Sequence, residues 1–340
     1  MSSFVTSSCN KKGRTAGLYL AAAAFLLGSA LLSISLGGTG TGLWKMLLSV
    51  VEGRTDSPEY GIFIFVRLRR TLAAVVCGAA LATSGAVIQS VLANRLASPS
   101  IIGVNAGAGL AITLCTAMGL YGGWQLSVFA FAGALGAVLL VNAGAAKWGR
   151  SPGTVILMGV ALSSLLGAVS DTVTTLVPEV GVMSNDFKMG DLSGATYGRI
   201  LPGAALVIVT LLAVFSLSAR LDVLSLGEQT ARGLGMNTRL TRMFMLTLAA
   251  LLAGCAVSIA GLLSFVGLLV PHAVRRLAGS RAGRLLPLCA LFGGGFVTLC
   301  DTVARTVFTP YELPVGIIMA FLGAPFFLFI LIKGRGGRME

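Results

Sequence analysis

A chain of 340 residues that is 56% hydrophobic and 11% charged, with a mean hydropathy of +0.91, carries more apolar side chain than a water-soluble fold can hide and reads as a polytopic membrane protein. The net charge of +13 does not indicate nucleic acid, because the basic residues form short clusters between apolar runs, without a basic face or aromatic interleaving. The single histidine, His272, excludes a His-based metal site or a Ser-His-Asp triad by count, and no GxxxxGK(S/T) occurs, so the chain has no nucleotide-binding P-loop of its own.

About 20 apolar residues cross a bilayer as a helix. Windows of that length give ten candidate spans, near 16–37, 68–92, 101–119, 124–146, 153–176, 198–218, 243–262, 264–277, 285–306 and 314–332. The expected fold is all-α, a single transmembrane domain over 1–340 with about ten helices in the cell (inner) membrane. The first run is longer than a signal-peptide core and no convincing cleavage site follows it, so it counts as a span. Five of the six cysteines (Cys77, Cys115, Cys255, Cys289, Cys300) fall within apolar runs without CxxC or metal-ligand spacing. They read as small packing residues.

With the N-terminal KKGR (Lys11 to Arg14) in the cytoplasm, an even number of spans returns the C-terminal KGRGGR (Lys333 to Arg338) to the same side. The breaks on that side then hold 17 of the 25 Lys and Arg residues, as the positive-inside rule requires. Arg67, Arg69 and Arg70, in VRLRRTLAAVV, are among the eight exceptions and face outward. Topology does not explain them. Headgroup anchoring is one account. On a helix beginning near Val66, Arg67 and Arg70 share a face and Arg69 points away from it.

Glycine is frequent, at 45 residues, and is often spaced for close helix contact, as at Gly103/Gly107, Gly78/Gly85, Gly254/Gly261 and Gly316/Gly323. This is mainly a packing signal. Two carboxylates lie within candidate spans, where an acid is costly and functional by default. Asp301 has Arg305 four residues on and is expected to form a structural ion pair with it. Asp171 has no such local partner and is the better candidate for a group facing an aqueous cavity or another helix.

The longest polar break on the cytoplasmic side is LGEQTARGLGMNTRLTR, Leu226 to Arg242, within a loop taken as 219–242. Glu228 precedes Arg232 by four residues, and Gly227, Gly233 and Gly235 punctuate the stretch. The residues support a short amphipathic helix ending in a glycine turn, or a solvated connector.

At this point several motifs together carry a resemblance. From Arg67, RLRRTLAAVVCGAALATSGAVIQSVLANRLASPSIIGVNAGAGLA resembles the second-to-third-span signature of the FecCD-type permeases, subunits of ABC importers for iron-siderophores, haem and cobalamin. LGEQTARGLG is similar to their ATPase-coupling loop, and GLLSFVGLLVPHAVRRLAG and LCDTVARTVFTPYELPVGIIMAFLGAPFFLFIL to their last third. These motifs occur in the family's order over nearly the whole chain after the first span. Two places depart from the family pattern. Arg67-Leu68-Arg69-Arg70 stands where it reads Arg-Leu-Pro-Arg, and Asn94-Arg95-Leu96-Ala97-Ser98-Pro99 where it reads Asn-Pro-Leu-Ala-Asp/Glu-Pro.

The resemblance implies a dimer of ten-span subunits, with a second copy or a related chain, and a pathway at the dimer axis. Two separate ATPase subunits would bind ATP and Mg, leaving no cofactor in this chain and no enzymatic activity of its own. The substrate would arrive on an external binding protein. Glu228, Ala231, Arg232 and Gly235 match the family's ATPase-coupling positions, and Arg67, Arg70 and Arg305 match arginines that receive acids of the binding protein. Lipid is the remaining partner, and nucleic acid is not one. The cargo expected from family frequency is a ferric siderophore, with cobalamin or haem as alternatives. Two readings from other classes are an ion-coupled secondary transporter using Asp171 or Asp301 as a proton relay and, weakest, an intramembrane enzyme.

Overall fold

The computed structural model describes residues 2–37, 42–148 and 151–335, with side chains over 15–37, 42–147 and 151–328. The side chains of Lys11, Lys12, Arg14, Arg150 and the basic run from Lys333 to Arg338 therefore lie outside the described residues. Within the described residues all regular structure is helical. In chain order the helices are α1 (Ser2–Ser35), α2 (Leu43–Val51), α3 (Pro58–Gly61), a π-helical stretch (Ile62–Leu68), α4 (Arg69–Val91), α5 (Val104–Ala117), α6 (Gly123–Trp148), α7 (Pro152–Leu176), α8 (Glu179–Met189), α9 (Tyr197–Ser216), α10 (Ser218–Ser225), α11 (Glu228–Gly233), α12 (Thr238–Ala260), α13 (Val266–Ala278), α14 (Ala282–Thr306) and α15 (Val315–Arg335).

Each of the ten expected spans falls on a helix: α1, α4, α5, α6, α7, α9, α12, α13, α14 and α15. Seven of them, α4 extended back to Pro58, are long and apolar enough to cross a membrane. At 14 and 13 residues, α5 and α13 rise only about 20 Å, short of a hydrocarbon layer of about 30 Å. Each is preceded by irregular backbone, which apolar surroundings tolerate only where protein satisfies its polar groups. For α13 that stretch is Gly261 to Phe265, both ends of which have positive φ. Here the Leu262 amide donates to the Phe187 carbonyl at 3.0 Å, and the Asp191 amide donates to the Ala260 carbonyl at 2.9 Å.

The helix starts are chemically marked. Ser151 caps α7 by accepting from the Thr154 amide at 3.2 Å, with Pro152 next. Asn237 caps α12 by accepting from the Leu240 amide at 3.1 Å. That cap starts α12 at Thr238, five residues before the apolar run at 243, so Arg239 and Arg242 belong to a helix and not to the loop.

At the centre stands α4, packed on α12, α13 and α14. Close approach needs glycine. A methyl on Gly78 would fall on the Gly293 carbonyl of α14, and one on Gly85 on the Gly267 carbonyl of α13. Ser84 Oγ donates to the Ala249 carbonyl at 2.7 Å, tying α4 to α12. On the outside, α1 lies against α14, where Phe25 and Phe292 meet at 5.6 Å between ring centres. Little of α7 is buried within the subunit, and Leu157, Leu165 and Leu176 are exposed along it.

Candidate functional site

The end of α1, the start of α4 and the end of α14 converge on the arginines singled out by sequence. The helix leading into α4 does not begin near Val66 but at Pro58, capped by Ser57. It passes through the π-helical stretch, so Arg67 sits on a widened turn, a feature common at functional sites.

Arg67, Arg70 and Arg305 are not exposed cations: they are 2%, 3% and 3% accessible. Arg67 Nη1 donates to the Ile34 and Ser35 carbonyls at 2.7 and 2.8 Å. Arg305 Nη2 donates to the Ser33 carbonyl and to Ser33 Oγ, the latter at 2.8 Å. Three successive carbonyls at the C-terminal end of α1, which would otherwise lack partners and carry partial negative charge, are thus met by two guanidinium groups.

Arg70 meets acids. Its Nε donates to Asp301 Oδ1 at 2.7 Å and its Nη1 to Glu312 Oε2 at 2.6 Å, while Nη2 stands 3.8 Å from Asp191 Oδ1. Arg305 Nε completes the set, 3.6 Å from Asp301 Oδ2. The expected Asp301–Arg305 pair is present, but the closer partner of the fully buried Asp301 is Arg70, from another helix. Three cations against Asp301, Glu312 and Asp191 leave the cluster electrically balanced, the condition under which buried charges persist. Arg69 points elsewhere, its Nη2 donating to the Ser193 carbonyl at 3.1 Å. The arginines and Glu312 line an open cleft, and the carboxylate that reaches the surface there is Glu312, 49% exposed.

At the opposite end, α11 forms over six residues and turns at Gly235, whose φ is +78°. Glu228 accepts from Arg232 Nη2 at 2.5 Å and, through its other oxygen, from Arg242 Nη2 of α12 at 3.2 Å. Burial pushes the Glu228 carboxyl up, but the hydrogen bond and charge of Arg242, then those of Arg232, outweigh it and hold the group below its ordinary value. Ala231 is fully buried and faces the body of the protein. The outward surface is formed by Arg232, Gly235 and two apolar residues, Leu226 at 63% and Leu234 at 66% exposed.

Asp171 is 74% exposed on α7, with Lys188 Nζ of α8 at 3.6 Å. The partner absent from its own helix comes from the next. Glu312, Asp191, Lys188 and Arg242 escaped sequence reasoning. The first three stand outside any expected span, and Arg242 falls in a stretch whose sequence reads as a loop.

Residues 25–333 match the FecCD transport family, and the chain belongs to that family of ABC importer permeases. It is 37% identical over 279 residues to the Fe(3+)-citrate import system permease protein YfmD of Bacillus subtilis (82% of this chain, 84% of that one). It is 41% identical over 271 residues to the cobalamin import system permease protein BtuC of Halobacterium salinarum (78% and 72%). Its fold matches a metal-chelate type ABC transporter solved in an inward-facing conformation, with a TM-score of 0.81, 29% identity and coverage of 94% of this chain and 98% of that one.

Proposed function

We propose that this chain, a multi-pass membrane permease, forms the translocation unit of an ATP-driven importer for ferric siderophores, paired with a second copy of itself or a related chain. ATP is hydrolysed on two separate ATPase subunits beneath α11, and cargo arrives on an external binding protein. Both termini and α11 then lie in the cytoplasm, as the distribution of Lys and Arg favours. The ferric cargo is supported by the iron–citrate relative and the metal-chelate transporter of like fold. The cobalamin relative, at higher identity over a shorter match, keeps cobalamin as the second reading.

The observation that carries the ATP-driven reading is the way Glu228 straps α11 to the first turns of α12 while Leu226 and Leu234 project outward. A force applied to that apolar surface reaches α12, and through it the helices α4, α6 and α9 against which it packs. A proton relay finds less support, since Asp301 is held by two arginines and Asp171 by Lys188. At the other end, acids of the binding protein take the place of Glu312 on Arg70, exchanging one carboxylate for another without baring the buried guanidinium. The test is assembly: the chain co-expressed with its ATPase should purify with it, and Leu226→Glu with Leu234→Glu should abolish that co-purification without lowering the melting temperature of the isolated permease. Co-purification unaffected by the two substitutions would overturn this reading of α11.

A further inference from the structure

Behind α11 a cavity of about 70 Å³ opens between the end of α6 and the starts of α7 and α12. One water needs about 10–15 Å³ by this measure, so the space admits several waters or one tetrahedral oxyanion, and is far too small for a metal chelate. Its polar wall is Asn142, Glu228, Arg232, Arg239 and Arg242, and Val155 and Met243 belong to its apolar wall.

Independent features of this wall point to the same ligand. Its charge is three guanidinium groups against one carboxylate. Glu228 occupies Arg232 and Arg242, while Arg239 has no hydrogen bond or ion pair among the described residues. Asn142, only 8% exposed, holds its Nδ2 buried without an acceptor among the described residues. A buried donor left unpaired costs about 1–3 kcal/mol, and in native proteins such a group is met by ordered water or by an ion. The position is also distinctive: the cavity lies where three helices that end or begin a span meet a polar break rich in Lys and Arg, the level at which headgroup phosphates sit.

We propose that this cavity binds a phosphate group, carried by the headgroup of an anionic phospholipid. Asn142 Nδ2 and the Arg239 guanidinium donate to its oxygens, Arg232 and Arg242 contribute charge from behind Glu228, and the glycerol rests against Val155 and Met243. A phosphate suits these donors because its oxygens diverge, and Arg binds them with charge-assisted hydrogen bonds. Bound there, it ties α6 to α12 directly beside the strap of α11. The proposal stands apart from the choice of cargo.

The test uses the full chain in discs of phosphatidylcholine doped with phosphatidylglycerol, extracted mildly and weighed by native mass spectrometry. The wild type should retain phosphatidylglycerol through extraction. Arg239→Gln should lower that retention by about fivefold, the factor expected for one cation at a membrane surface, and Asn142→Leu, which removes a neutral donor, should lower it a few-fold, as the loss of one hydrogen bond does. Failure of millimolar inorganic phosphate to displace the lipid identifies the headgroup as the source. Displacement with the same dependence on both residues identifies free phosphate as an alternative occupant of the same site. Should Asn142→Leu fail to fold, the surface substitution Arg239→Gln decides alone. No preference for phosphatidylglycerol over phosphatidylcholine, or wild-type retention by a folded Arg239→Gln protein, overturns the proposal.

Discussion

Arg70 and Asp301 are 231 positions apart in the chain, yet Arg70 Nε donates to Asp301 Oδ1 at 2.7 Å with both side chains at most 4% exposed. This bond joins α4 to α14 at the centre of a cluster that also holds the end of α1 and the loop before α15. Removing one partner strands the other charge in an apolar setting, which costs about 3–5 kcal/mol. Asp301→Asn and Arg70→Met are therefore each expected to lower expression and melting temperature sharply. The double change Arg70→Met with Asp301→Leu should lose less than the sum of the two single changes, because both charges of the pair are gone, but it should stay below the wild type, because the buried Arg305 has lost its acid. Additive losses in thermal melts of the three variants would show that the pair is not coupled.

Glu312 is the exposed member of that cluster, and its contact with Arg70 competes with any acid arriving from outside. Glu312→Gln is expected to strengthen binding-protein association by several-fold at low ionic strength, with a smaller gain at high salt, where charge pairing is screened. The measurement is binding-protein affinity for the permease–ATPase complex in lipid discs at two salt concentrations. Weaker binding would mean that Glu312 is itself part of the docking surface.

At the other end the buried Ala231 and the exposed Leu234 separate folding from coupling. Ala231→Glu places a carboxylate inside the protein and should destabilise the isolated permease by several kcal/mol. Leu234→Glu should leave its melting temperature unchanged while uncoupling ATP hydrolysis from transport. Comparing melts with ATPase stimulation by the loaded binding protein checks both expectations.

The Glu228 strap has a pH signature. Its folded carboxyl lies below the ordinary value of about 4.3, so its contribution to stability is fully present above that value and is lost as pH falls through the folded value beneath it. The melting temperature of Glu228→Gln should lie below that of the wild type near about pH 7, and the gap should close below about pH 4. A gap independent of pH would mean that the charge of Glu228 plays no part.

The spans were legible because each is a run of apolar residues that any window of bilayer length detects, and the shared face of Arg67 and Arg70 followed from their spacing. The short helices α2 and α8 were not, being shorter than the window. Asn237 signals the true start of α12, but the polar residues Arg239 and Arg242 mask it in an average of hydropathy. The partners of Arg70 could not be read at all: Glu312 and Asp191 lie in loops, and only the packing of α4 against α14 and the hydrogen bond of the Asp191 amide to the Ala260 carbonyl at the end of α12 bring them near. The inward direction of Ala231 was equally hidden, because a helix of six residues shows no periodicity and its roll is set by Arg242 from α12.

On this account cargo movement is driven by ATP hydrolysed on a partner, through α11. The most direct measurement is uptake of a radio-iron ferric siderophore into proteoliposomes holding the permease and its ATPase, with the binding protein outside and ATP enclosed. Uptake is expected to require ATP and the binding protein, to persist when an ionophore collapses the proton gradient, and to disappear in Leu234→Glu. Uptake driven by an imposed proton gradient without ATP would contradict it.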